Sequence, residues 1–387
     1  MNPTPNRTHA AGRLKPTRQK ATGLSLIELM ISLVIGVILL LGGTSVFLSL
    51  KKAAEVEKSL ASLQTGGRLA IDLISEDLLK VHFFGCNTGS VFLTNMTNTA
   101  GVAGIQNALW GVRAYERTSS AWADLPPLPT PMTAGGSNAI STQARQGSDV
   151  LSVRTGQLLP TTLSSPVFAG DNSINLTSNP ECAIQQNSDL VLTGCAITAH
   201  LLRVSNTPAC QPDTAENAHT VTLDTPQNSV TTFNVGYALN SQLLLFNDVF
   251  WYVADTGRQR NQQAVYALYR QSGGRSAEMI EGVEAFQIKL EHRVEGTNNQ
   301  RQVNPSDPEL NRAGNYEAVT VVHFALLLQS FERVLDTQDT RTYSLLDTAV
   351  PPSSGGSVGH GGGQVLREVF SAAVTLRNAA PLTSGAS

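Results

Sequence analysis

The sequence predicts an α+β fold, in which a long N-terminal helix, first membrane-spanning and then amphipathic, packs on an antiparallel β-sheet body. Three observations carry that prediction. Residues 29–50 contain no charged side chain. Apolar residues then recur at four-three spacing as far as Val81, which places them on one helical stripe. From residue 149 onward, short β-type runs alternate with Asn, Asp, Gly and Pro clusters, the rhythm of antiparallel strands.

The 387 residues suffice for one or two domains after the N-terminal segment. With 41% hydrophobic and 15% charged residues, the composition is globular rather than disordered. Charge is unevenly spread. Residues 1–23 hold Arg7, Arg13, Lys15, Arg18 and Lys20 and no acid, so a formal net charge of −3 becomes −8 once they are set aside. Such a body has no electrostatic footprint for nucleic acid.

In order, residues 1–23 are polar, basic and punctuated by Pro3, Pro5 and Pro16, and read as a leader. The uncharged run 29–50 would extend roughly 33 Å as a helix, enough to cross a bilayer core of about 30 Å. Its basic flank keeps the N-terminus cytoplasmic, although Lys51 and Lys52 weaken the asymmetry. The stripe of Val56, Leu60, Leu63, Gly67, Ala70, Ile74, Leu78 and Val81 continues the helix, which is expected over 24–84 and ends at Gly85. Gly36, Gly42-Gly43 and Gly66-Gly67 are weak points at about 1 kcal/mol per glycine, where a bend is expected.

Residues 85–148, rich in Gly, Ser, Thr, Asn and Pro, read as an irregular surface insertion. The β-rich body then occupies 149–387. Its strands are expected at Asp149–Arg154, Leu201–Val204, Thr220–Leu223, Phe233–Ala238, Val249–Val253 and Ala264–Tyr269. Met279–Glu291 is a longer run that breaks at Gly282, Val319–Leu328 is strongly apolar, and Glu368–Leu376 closes the sheet. Pro351–Gly363 reads as a flexible Gly/Ser loop.

Searching for chemistry gives no catalytic residue, no cofactor motif and no metal-ligand spacing. The seven histidines are scattered without HExxH, and there is no GxSxG. Asp336, Asp339 and Asp347 do not match a calcium loop. His323 in its apolar run reads as a satisfied or surface-facing histidine, and Gly361–Gly363 lacks the Lys-Ser/Thr of a phosphate cradle. No residue pattern supports an enzyme. Glu28 stands apart, because a carboxylate in an apolar helix costs about 2.5–3.5 kcal/mol at the bilayer centre and less near an interface. It calls for a positive partner, and an α-amino group freed just before the apolar run would supply one.

Gly23-Leu24-Ser25-Leu26-Ile27-Glu28-Leu29-Met30 resembles the prepilin signal of type IV pilins and type II secretion pseudopilins. That resemblance implies cleavage between Gly23 and Leu24 by prepilin peptidase, methylation of the Leu24 amine, and an assembly salt bridge from Glu28 to a neighbouring subunit's α-amino group. Leu24 departs from the phenylalanine usual there, which bears on methylation. Further along, 63–74 with Phe84-Gly85-Cys86, then 279–288, 319–328 and 367–378, resemble the minor pilins of the PilW family, in order. The resemblance excludes 87–148, and Glu291–Asn315 has few acids where relatives often carry an Asp/Gly-rich loop. It implies a non-catalytic minor pilin that helps prime pilus assembly near the tip, with other minor pilins, the major pilin and the inner-membrane assembly platform as partners. The chain would reside in the inner membrane with its body periplasmic, then extracellular in the pilus. A type II secretion pseudopilin, and an adhesin module formed by 87–148, are the alternatives.

Cys86, Cys182, Cys195 and Cys210 all follow the apolar run, and an even count in an exported region suggests disulfides. Of three pairings, the favoured one joins Cys182 to Cys195 as a local staple and Cys86 to Cys210.

Overall fold

The structure, a computed structural model, describes residues 25–81, 83, 85–86, 92–98, 111–118, 121–124, 126–194, 198–210, 219–260, 263–294, 299–310, 315–353 and 359–377. Two units divide the chain, Met1–Ala54 and Glu55–Ser387. Helix α1 (Leu26–Leu79) supplies the described part of the first and the opening element of the second. In the first unit its side chains are exposed almost throughout.

In the second unit α1 buries Ser59, Leu63, Gly67, Ala70, Ile74, Asp77 and Leu78, three or four residues apart, so one stripe faces the sheets. The expected stripe holds from Leu63 onward, but Leu60 is 41% exposed and Ser59 is buried in its place. The bend expected at Gly66-Gly67 does not occur. The helix continues because close packing outweighs glycine's poor propensity: a Cβ on Gly67 would lie 2.4 Å from the Phe370 ring. It stops at Leu79, earlier than the sequence suggested. There Lys80 and Val81 donate back to the Asp77 and Leu78 carbonyls at 3.1 and 3.2 Å, and Val81 bridges to Thr155.

Several described residues of the segment expected as an irregular surface insertion are instead part of the core. It supplies β1 (Phe92–Asn95) and β2 (Val112–Tyr115), with two single-turn helices, α2 (Thr130–Thr133) and α3 (Ile140–Gln143). Met132 and Ile140 are among the most buried side chains, and every residue of β2 is buried. Its composition hid this, because four-residue strands and single helical turns leave almost no periodicity to read.

Six further strands follow: β3 (Val150–Leu158), β4 (Ser173–Asn175), β5 (Asp189–Thr193), β6 (Thr198–Arg203), β7 (Thr220–Thr222) and the 19-residue β8 (Gln242–Arg260). With β9 (Gln263–Ser272) and β10 (Arg275–Glu281), the first sheet runs β1-β6-β5-β8-β3-β2, β9 joining the far half of β8 and β10 pairing β9. Only β1–β6 is parallel. Beside it, β4 pairs with β7 over a separate core that includes Ile174, Val221, Phe233 and Tyr237. Phe233–Ala238, expected as a strand, is irregular here. It is held instead by a reciprocal backbone pair between Tyr237 and Val167, and by Gly170 N donating to the Phe233 carbonyl and Phe233 N to that of Asp171.

The second sheet, β12-β11-β13-β16, is formed by β11 (Val283–Arg293), β12 (Gln300–Val303), β13 (Val319–Gln329) and β16 (Arg367–Thr375). A hairpin, β14 (Tyr343–Leu345) with β15 (Thr348–Val350), packs Leu345 and Val350 on its other face against Ala285, Ala325 and Leu327. Gly282 breaks β10 from β11 as expected, at φ +87°, where a Cβ would lie 2.9 Å from the Gln329 carbonyl. Phe286, Ile288 and Leu290 on β11 share one core with Phe324 and Leu326 on β13 and with Leu63, Ala70, Ile74 and Leu78 on α1.

The favoured disulfide pairing is overturned. Cys182 joins Cys210, with Cα atoms 4.7 Å apart. The reason is the β5–β6 hairpin: five strand residues carry the chain roughly 16 Å away from Cys182 before β6 brings it back. Cys86 is also disulfide-bonded, so it is not available to Cys210 either. Cys195 lies outside the described residues.

Candidate functional site

The N-terminal segment builds its site from very little. Ser25 precedes α1, and its carbonyl accepts from Glu28 N at 3.0 Å and Leu29 N at 3.1 Å, so Glu28 sits in the first helical turn. A carboxylate there is favoured by the helix dipole. Glu28 is exposed, and around it Leu26, Ile27, Leu29 and Met30 are each more than half exposed. The same holds for most large apolar residues to Leu50. Burial of such side chains is worth about 1.5–3 kcal/mol each, so this surface requires lipid or other helices around it. The 54-residue helix contains a window of mean hydropathy 2.5, long and apolar enough to cross a membrane.

Four hydroxyls in this run went unremarked in the sequence. Ser32, Thr44, Ser45 and Ser49 donate to the carbonyls of Leu29, Leu40, Gly42 and Ser45 at 2.7–3.0 Å. Each is satisfied within its own helix, which lets the run remain compatible with an apolar medium. Residue type alone signals this, since serine or threonine three or four residues beyond a carbonyl reaches it. Gly23 and Leu24 lie outside the described residues.

In the second unit, α1 is fastened by one buried carboxylate. Asp77 accepts from Arg270 Nε at 2.8 Å, Arg270 Nη2 at 3.1 Å and Trp251 Nε1 at 2.9 Å. Those partners come from β9 and β8, so the pair sets the angle at which the helix crosses the first sheet. The sequence did not single out Asp77, because Trp251 and Arg270 lie 174 and 193 residues further along the chain. His323 Nε2 donates to Glu291 Oε2 at 2.9 Å across β13 and β11, both side chains half-buried.

Residues 18–44 match the family described as the prokaryotic N-terminal methylation motif, and residues 251–378 match that described as Type IV Pilus-assembly protein W. These two matches support a type IV pilus-related pilin. No curated protein and no solved structure matches it. The first match spans the Gly23–Met30 signal and the apolar run as far as Thr44. The second opens at Trp251, the residue that bonds Asp77, and closes just beyond β16. It therefore takes in the far half of β8, strands β9 to β16 and the whole second sheet. Residues 45–250, which hold the rest of α1, strands β1 to β7 and the first half of β8, lie between the two matches.

Proposed function

We propose that this pilin is a minor, non-catalytic subunit that helps prime type IV pilus assembly at or near the tip. The observation that carries the reading is the pairing of one acid with an unpartnered apolar helix: Glu28 in the first turn, followed by exposed apolar side chains to Leu50. Prepilin peptidase cuts between Gly23 and Leu24 on the cytoplasmic side, and the Leu24 amine is methylated. Before assembly the apolar run anchors the chain in the inner membrane, with the body periplasmic. In the pilus the run buries against other minor pilins and the major pilin, and the body becomes extracellular.

Glu28 then meets the α-amino group of a neighbouring subunit. Each charge alone would be expensive in a dry helical bundle, whereas together they neutralise and fix axial register. The large body supports a terminal position, because a shaft packed from many subunits leaves less room around each.

N-terminal sequencing with intact mass tests the processing. The mature chain should begin at methylated Leu24, and an uncleaved Met1 terminus would exclude the reading. Glu28→Ala should spare membrane insertion and cleavage while lowering recovery in sheared pili roughly a hundredfold, as expected for an unpaired buried amine costing about 3 kcal/mol. Unchanged recovery would remove the register role.

A further inference from the structure

Pro351–Gly363 was expected as a flexible loop, but its described end from Gly359 and the residues that follow to Leu366, between the β14–β15 hairpin and β16, are held tightly. Gly361 N donates to Glu284 Oε1 at 3.2 Å, and Gly362 N donates to His360 Nδ1 at 3.2 Å. Gly363 O accepts from Asp339 N at 2.7 Å, and Gln364 O accepts from Val334 N and Leu335 N at 2.9 and 3.0 Å. Beneath lies a buried ionic network. Arg367 donates to Glu284 at 2.6 Å through Nε and to Asp339 at 3.2 Å through Nη1, and all three side chains are nearly inaccessible. Burial works to raise the Asp339 carboxyl, but hydrogen bonds from Arg341, Tyr343 and Arg367 outweigh it and hold it well below the usual carboxylate range. A paired, fully bonded network of this kind fixes a loop in one conformation.

Above that floor is an open cleft of about 480 Å³. Its walls are Gln263, Gln338, Gln364, Arg333 and the backbone at Gly361 and Gly363. Two of the amides are already oriented. Gln263 Nε2 donates to Gly361 O at 2.8 Å, and Gln364 Nε2 donates to Asp336 O at 3.0 Å. Gly363, at φ +80°, is required for this arrangement, since a Cβ there would lie 2.9 Å from Gln263 Nε2. Each amide so held keeps acceptor and donor capacity for something in the cleft.

The chemistry of the walls selects the ligand. Drug-sized apolar ligands take pockets lined mostly by hydrophobic side chains, whereas this cleft has only Val365 of that kind. A polyanion would need several cations, and one guanidinium is present. Neutral amides that both donate and accept match groups that also do both, which are hydroxyls. We infer that this cleft is a saccharide-binding site, in which the amides of Gln263, Gln338 and Gln364 and the Arg333 guanidinium hold the hydroxyls of a glycan. The cleft is lined by residues of the 251–378 region and by none of the segment 87–148 that an adhesin reading would favour, and it does not depend on where in a pilus the subunit sits.

Saturation-transfer NMR on the detergent-solubilised full chain, with free galactose, mannose and N-acetylglucosamine as separate probes, tests this. At least one sugar should show saturation at millimolar concentration, and Gln338→Ala with Gln364→Ala should weaken it about tenfold, the effect of losing hydrogen bonds to neutral groups. Gln338→Ala alone, at an exposed position, should leave the melting temperature unchanged and still weaken binding. No saturation with any of the three sugars, or binding that survives both variants, would overturn the site.

Discussion

His200 shows how a single side chain in this body is decided by its partners. It is buried on β6, with Nε2 donating to Asn234 Oδ1 at 2.7 Å and Nδ1 accepting from Tyr237 at 2.5 Å. That pattern requires the neutral ring. Burial lowers its pKa, and the bond to Asn234 only partly opposes the shift. With the folded pKa depressed, the unfolded chain binds the extra proton first as pH falls, so His200 contributes stability above the ordinary histidine value of roughly 6.5 that is lost below it. The urea midpoint should therefore fall from about pH 7.5 to about pH 5, and His200→Gln should reduce that fall. An identical pH profile in the variant would show that His200 does not carry it. At this scale the sequence was uneven. Glu28 stood out because an acid in an apolar run is costly wherever it lies, whereas Asp77, Glu284, Asp339 and Arg367 acquire meaning only when strands far apart in sequence bring their partners.

At the scale of elements, legibility followed length and period. The helical stripe from Leu63 to Leu78 and the apolar strands around Phe286 and Phe324 were readable because their patterns repeat several times. Strands β1, β2 and β4, three or four residues each, were not, although the equally short β7 was expected at Thr220–Leu223, and half of β8 was hidden because Asn247-Asp248 interrupts its apolar run. Glycine was misread for a related reason. Propensity marks Gly66-Gly67 as a weak point, but packing makes it a contact. Gly67→Ala should gain about 1 kcal/mol of helix propensity and lose more than that by driving a methyl into Phe370, for a net loss of about 1–2 kcal/mol in thermal unfolding. Stabilisation by that substitution would mean that α1 and β16 are not in contact as described. Gly36, Gly42 and Gly43 have nothing within 4 Å of their would-be Cβ atoms, so the same substitution there should leave the fold of the body untouched.

For the whole molecule, the question is whether the region matching the pilus-assembly family, residues 251–378, is a unit or a portion of one. Its second sheet is complete, which favours a unit. The core argues otherwise. Phe286, Ile288, Leu290, Phe324 and Leu326 pack in the same cluster as Leu63, Ala70, Ile74 and Leu78 from α1, Val112 and Ala114 from β2, and Leu151 and Val153 from β3. Strand β8 is cut by the boundary, with its first half paired to β3 and β5 and its second to β9. Asp149, itself fully buried, accepts from Ile288 N at 2.9 Å, tying the first sheet to the second. Excising 251–378 would expose that apolar face and leave Arg270 and Trp251 without Asp77. A fragment of these residues should therefore lack a cooperative unfolding transition and aggregate. Residues 55–378, which retain the packed half of α1 and strands β1 to β7, should unfold cooperatively and stay soluble, by circular dichroism and gel filtration. If the shorter fragment folded as well as the longer one, strands β1 to β7 would be an appendage, and the single core described here would be divided.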